Sequence, residues 1–503
     1  ALDTQAAIRK EWEWRKNYRV WEANRKVFLY PENWIEPELR DDKSPLFKTL
    51  EDELLQQQIS LESAEGAYKE YLKGFAEVGN LVIAGAVFNE SYNEPIHYIF
   101  GRTAADPYTY YYRRMKMIGS GTNDVAYEWE AWHKIDLAIS SPEVTPLIYR
   151  EQLFIFWVEV LSEELSGFSD GGSTFSGTRH KVNLLYSSLN TNGKWLQPQR
   201  INLHEYEDKF NDYPGYRYEI NHLMVDGKLT NYSDDYEQKY RSRDFFFKSR
   251  IYKKAYVTFP RFNRDSIRII YHREWLSLNE TVNTIGIIRN LDLRTNQIRN
   301  EGQDWTFEKF LKVLPFQTGG NNYRRVSQYT HTREEEFVID YNHNKTSLGT
   351  FDFPLFDIVS SKYIDCILVN RSFIHGEDRL SNDLIIRLDN EHLLIHKKFV
   401  KDGYKFALVK LNTNVITDLQ EILFRNGIGE FLSTNTQRKH DLSVPAIAQY
   451  YSEMEMPPQD RLNFSGAHGL YFRELFFHIP FLIADHLNAE GKYKEADYWY
   501  RKI

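Results

Sequence analysis

The feature that most constrains this chain is a double change of period. Apolar residues recur at helical spacing up to about residue 80, alternate as in strands from about 81 to 430, and return to helical spacing from about 445. A helix brings side chains to one face every three to four residues, a strand every two. Ser44-Pro45 predicts a helix start, since Ser caps the first turn and Pro needs no donor there. Phe47, Leu50 and Leu54 then share one face, and a second helix carries Ala64, Tyr68, Tyr71, Leu72, Phe75 and Val78 to an end near Gly79-Asn80. Before this pair, VFLYPENWIEPELRDD at 27–42 holds prolines that forbid a continuous helix, which predicts an extended arm.

The middle region reads as strands: LVIAGAVF, YTYYYRRM, LFIFWVEV, KVNLLYSS, SIRIIYHR, DCILVN and LLIHKKFV. Asn192-Gly193, Asp226-Gly227 and Asp402-Gly403 are the turn signals between them. Strands without alternating helices argue against a parallel βαβ sheet and for a propeller or a set of sandwiches. Past about 445, Leu475, Ile479, Leu482 and Leu487 form an apolar stripe that Pro480 should kink or restart. Gly491 suits a left-handed helix end, and Tyr493, Ala496, Trp499 and Tyr500 begin a returning helix, so an αα-hairpin is predicted. The fold class is therefore α+β and multidomain: helical 1–80 with its arm at 27–42, mainly β 81–440, and a helical hairpin at 441–503.

A chain of 503 residues is too long for one ordinary core. The net charge of −8, with no basic block, argues against a nucleic-acid partner. Cys366 is the single cysteine, which excludes an intrachain disulfide, and its flanks read as a buried strand. No apolar run reaches 18 residues, so no membrane span is expected, and ALDTQAAIRKEWEW is no signal peptide. The chain starts without Met in a helical pattern and ends in one at YWYRKI, so an excerpt from something longer is expected.

GFSDGGSTF at 167–175 places Asp170, Gly172, Thr174 and Phe175 in D-x-G-x-T-[WF], which resembles the Asp box of sialidase β-propellers. Such a box is a hairpin staple: the aspartate accepts loop N–H groups and the aromatic plugs the sheet. It is structural even in true sialidases, and the usual Ser two places before Asp is Phe168. Sialidase chemistry also needs an arginine in [FY]-R-[IL]-P, which is absent; the nearest stretch, Phe259-Pro260-Arg261-Phe262, has the wrong order. No catalytic, metal or cofactor residue is assigned. His440, His468, His478 and His486 read as core or boundary histidines, and Arg113-Arg114 as a strand end meeting solvent.

Glu159, Glu163 and Glu164 form an acidic cluster before Asp170, and Asp234-Asp235 and Glu334-Glu335-Glu336 form others. A solvated face is the plain reading. Across a subunit seam, these first three would be pH-sensitive carboxylates, since protonation would relieve repulsion.

Four stretches together resemble one family. WRKNYRVWEANRKVFLYPENWIEPELRDD at 14–42, WEAWHKIDLAI at 129–139, LFIFWVEV at 153–160 and NFSGAHGLYFRELFFHIPFLIA at 463–484 are similar, in order, to segments of the A subunits (TcA) of tripartite insecticidal Tc toxins. The resemblance covers both ends and thins between about 200 and 440.

It implies the end of a helical shell, a neuraminidase-like domain without sialidase activity, and helices leading toward a pore domain. It also implies a homopentamer, a cocoon formed by the TcB and TcC subunits, a host receptor or glycan, and secretion to act at a host membrane or endosome. A pH change is expected to open the shell. A receptor-binding β-sandwich inserted around 200–330 is left open. So are two alternatives, a host-glycan-binding module and an active glycosidase.

Overall fold

The computed structural model describes residues 29–89, 95–118, 126–169, 172–209, 403–439 and 462–503, together with the strands between 222 and 400 and at 454–455. Helices α1 (Pro45–Leu55) and α2 (Leu61–Gly79) form as the spacing predicts. The Ser44 hydroxyl accepts from the Phe47 amide at 3.0 Å, and Ser60 and Ser63 close a capping box on α2. Every residue of the predicted apolar stripe on α1 and α2 is buried.

Part of the predicted extended arm is helical. Glu32–Ile35 makes one helical turn and Pro37–Leu39 a 3-10 turn, while 27–28 lie outside the described residues. Proline is barred from helix interiors but welcome in a first turn, and Pro31 and Pro37 each stand at such a start.

The first sheet holds β1 (Val82–Asn89), β2 (Ile96–Arg102), β3 (Tyr110–Ile118), β4 (Ala126–Trp129) and β5 (His133–Ile135). β1, β2, β3 and β4 follow one another antiparallel, β5 also pairs with β3, and Asn370–Arg371 lies parallel to β1. The second sheet runs β6 (Thr145–Tyr149), β7 (Gln152–Ser169), β8 (Gly172–Ser188) and β9 (Gln199–Lys209), all antiparallel.

Both faces of the first sheet are covered. Ile83, Ala86, Ile99, Tyr111 and Met115 pack toward the helices, while Ala84, Val87, Phe100, Tyr110 and Tyr112 pack toward the second sheet. A bulge between Ile83 and Gly85 explains why Ile83 and Ala86, three apart, share a face. The sheets approach closely at Gly85, where a Cβ would fall 2.3 Å from the Val144 carbonyl oxygen.

The strands do not run unbroken to 440: Gly403–Lys410 gives way to α3 (Val415–Phe431), packed on α2, and the short strand Met454–Glu455 then lies parallel to Gly403–Lys410. Its apolar residues Val415, Ile416, Leu419 and Leu423 keep helical spacing, and Gly427 at φ +75° breaks its last turns. The chain ends in α4 (Gly469–Arg473), a π turn (Glu474–His478), α5 (Ile479–Ala489) and α6 (Tyr493–Tyr500). The π turn comes just before Pro480, at the predicted irregularity. Gly491, at φ +78°, turns the chain into α6 to complete the hairpin.

Candidate functional site

The described charges that burial isolates most completely lie where three parts of the chain meet: the α1–α2 pair, the first sheet and the C-terminal hairpin. Glu474, 0% exposed, opens the π turn. Its Oε1 accepts the Ser44 amide at 2.8 Å; its Oε2 accepts the Ser44 hydroxyl at 2.5 Å and the Tyr71 hydroxyl at 2.6 Å. Arg40 Nη2 stands 3.6 Å from Oε1, an ion pair rather than a hydrogen bond. Ser44 thus caps α1 and grips the hairpin with the same hydroxyl. Burial pushes the Glu474 carboxyl above its ordinary range, while the Ser44 and Tyr71 hydrogen bonds and Arg40 pull it back. Arg40 itself is buried, donates from Nε to Asp42 at 3.0 Å and lies over the Phe47 ring.

Arg113 is the second anchor. The sequence reading placed it at a strand end meeting solvent, and the structure corrects that. β3 continues to Ile118, and the face shared by Tyr111, Arg113 and Met115 is the one the helices cover. Arg113 is 0% exposed. Its Nη1 donates to the Ala467 carbonyl at 2.7 Å and Nη2 to the Leu411 carbonyl at 3.3 Å, with the Trp129 and Trp132 rings at 4.6 and 4.3 Å. Burial lowers its pKa to about 9, so it stays charged at neutral pH. Arg114, pointing the other way, keeps a half-exposed ion pair with Glu130 at 2.6 Å.

Aromatic packing fills the space between the anchors. Tyr471 accepts the Trp132 amide at 2.8 Å and stacks on Phe75 at 4.8 Å, and Tyr68 donates to the Leu475 carbonyl at 3.0 Å. A carboxylate held by three donors and closed from solvent offers no nucleophile to a substrate. What the arrangement does is fasten the hairpin to the rest of the chain.

Of the residues singled out from sequence, Arg113, His468 and His478 line this junction, and the others lie elsewhere. Asp170 is outside the described residues; Gly172 begins β8, and Thr174 and Phe175 pair in register with Gly167 and Ser166 of β7. The side chains of Thr174 and Phe175 are outside the described residues, as are His440, Asp234-Asp235 and Glu334-Glu335-Glu336. Cys366 is on the strand Asp365–Leu368, with its side chain outside the described residues.

Glu159, Glu163 and Glu164 all lie on β7 but are not brought together. Glu159 and Glu163 are four residues, about 13 Å, apart along the strand. Glu164 faces the opposite side from Glu163. Glu159 pairs with Arg200 at 3.0 Å, Glu163 is in register with Arg179, and Glu164 with Thr178.

Sequence reasoning missed Arg40, Arg113 and Glu474. Their signals were present but faint. Glu474 interrupts the apolar run LYFRELFFHIPF, and Arg113 takes the tyrosine alternation's inward slot. Among the described residues, no group of three or more His, Cys, Asp or Glu could hold a metal ion, and no helix is long and apolar enough to cross a membrane.

Residues 1–51 match the family model described as the ABC toxin N-terminal region, and residues 79–234 match that of the neuraminidase-like domain. Toxin subunit YenA2 of Yersinia entomophaga is 22% identical over an alignment covering 98% of this chain and 40% of that protein. The cryo-EM structure of Morganella morganii TcdA4 is similar with a TM-score of 0.52 at 14% identity, covering 98% of this chain and 28% of that one. The chain thus spans less than half the length of each, and the structural likeness shows the fold alone. Together these likenesses support a fragment of the TcA type, a toxin subunit. The neuraminidase-like label is a domain name and reports no reaction.

Proposed function

We propose that the chain is a non-enzymatic structural and gating segment of the pore-forming translocation subunit of a secreted bacterial insecticidal toxin complex. In this reading 1–80 ends the helical shell, 81–440 is the neuraminidase-like region closing it, and 441–503 leads toward the pore domain. Helix α3 within 415–431 is the region's helical exit rather than part of its sheets. The full subunit assembles as a homopentamer, engages a host receptor or glycan, receives a TcB–TcC cocoon, and opens at a host membrane or endosome when the pH changes. Glu159, Glu163 and Glu164 are candidate carboxylates at a seam between subunits, and Asp170, Gly172, Thr174 and Phe175 a hairpin staple.

The observation that carries the reading is the order of matches: an ABC toxin N-terminal region, then a neuraminidase-like domain, in a chain whose likeness to a toxin subunit covers almost all of it. The buried junction supports it, because a gate must hold the helices leading away from the sheets in one place while shut. Negative-stain electron microscopy of the full-length protein at neutral pH and at both pH extremes tests it. Five-fold particles whose closed end opens with pH are expected; compact monomers at every pH overturn it.

A further inference from the structure

The C-terminal hairpin is fastened at two points, and a buried histidine sits at each. His468, 4% exposed, packs against the Phe75 ring, with Arg113 and Lys410 as the charged groups facing it. His478, 8% exposed, meets the edges of Phe47 and Phe477, with Arg40, Asp42 and Arg473 around it and Glu474 one turn back on its own helix. Among the described residues, Nε2 of His468 and Nδ1 of His478 find no hydrogen-bond partner. A neutral imidazole tolerates these sites. An imidazolium does not, because it would be buried beside a guanidinium that has already lost its water.

We propose that His468 and His478 form an acid-labile latch, whose protonation releases the hairpin of α4, α5 and α6 from the α1–α2 pair and the first sheet. This rests on the gating reading above and names the groups that act within one subunit. The geometry makes the two sites act together. Arg113 holds the Ala467 carbonyl next to His468, and Arg40 reaches Glu474 one turn from His478. A charge on either histidine therefore repels the arginine that fastens its neighbour.

The directions of titration agree. Burial and Arg113 hold His468 well below its ordinary pKa, and burial and Arg40 bring His478 to about 3. A histidine held low gives stability that is complete above about pH 6.5 and is lost as the pH falls below it. Glu474 works in the opposite sense: its raised carboxyl contributes most at low pH and loses that contribution as the pH rises. Two histidines against one carboxylate leave a net loosening on acidification.

Hydrogen–deuterium exchange of the full-length protein, corrected for the intrinsic pH dependence of exchange, tests the latch. Between pH 7.5 and 5.5 the opening equilibrium of the amides at 469–500, relative to β1–β3, should rise by up to about tenfold per histidine, about a hundredfold for two, less whatever Glu474 offsets. In a double variant, His468→Leu with His478→Phe, the rise should shrink below about threefold on the same linkage. An equal rise in variant and parent overturns the latch.

Should the double variant lose protection already at pH 7.5, imidazole C2 hydrogen exchange on the unmutated protein decides instead. Histidines that stay neutral until the hairpin opens support the latch; a histidine titrating near its ordinary value while the hairpin is protected overturns it. Microscopy of the same protein reports separately on gating. Five-fold particles that open with pH while the hairpin's exchange ignores pH sink the latch and leave the gating reading intact. If no five-fold particle forms, the gating reading fails and takes the latch's stated role with it.

Discussion

Charged residues meet opposite fates at two places in this chain. On the outer part of β7, Glu163 is exposed, in register with Arg179, and Glu159 shares a partly solvated pair with Arg200. At the junction, Glu474 has no solvent and depends on Ser44, Tyr71 and Arg40. Water replaces a lost partner on the strand, so a pair there contributes little. In the junction nothing replaces it, so removing one member strands the others. The acidic cluster that stands out in the sequence is thus less consequential for the fold than a single glutamate inside an apolar run.

That contrast breaks or sharpens in a definite order. Glu474→Ala should have the largest effect, about 3–5 kcal/mol, because it strands buried Arg40 and leaves the Ser44 and Tyr71 donors unpaired. Denaturant unfolding followed by tryptophan fluorescence would measure it, Trp129 and Trp132 being at the junction. Arg113→Met comes next, at roughly 2–3 kcal/mol, since the Ala467 and Leu411 carbonyls lose their donor while the methionine still fills the space. Tyr71→Phe removes one charge-assisted hydrogen bond and should cost about 1.5 kcal/mol in the same titration. His478→Phe should leave stability at pH 7.5 nearly unchanged and flatten its fall with acid. The parent should lose about 1.4 kcal/mol per pH unit below pH 6.5 from this residue alone. Smallest of all, Glu163→Gln with Glu164→Gln should leave the unfolding midpoint of the chain where it was. A loss comparable to that of Glu474→Ala would abolish the comparison.

The sequence made the secondary structure readable where one physical rule acted alone. The Ser44-Pro45 start, the α2 stripe, the irregularity before Pro480 and the Gly491 turn each follow from a local rule about caps, period or φ. The arm at 27–42 misled because proline forbids a helix interior yet starts a first turn, and only context tells the two apart. The helix at 415–431 does not stand out from the β-region by pattern alone, since its stripe is short and Gly427 interrupts it. Residue chemistry without partners says least. Arg113 in a tyrosine run reads as a strand leaving the core until both faces of that strand are known to be covered. Ser44 and Glu474, 430 positions apart, carry no local sign that the cap of α1 donates to the carboxylate of the C-terminal hairpin. The toxin resemblance rested instead on long stretches at both ends, and the family models fall on the first of them and on the start of the strands.

The central claim is that a buried carboxylate, and not the surface acidic cluster, fastens the C-terminal hairpin. Hydrogen–deuterium exchange at pH 7.5 on Glu474→Ala and on Glu163→Gln with Glu164→Gln tests it directly. The claim predicts that the amides of 469–500 lose protection in the first variant while β1–β3 keep theirs, and that the second variant matches the parent throughout. Unchanged protection of the hairpin in Glu474→Ala, or an equal loss in both variants, would contradict it.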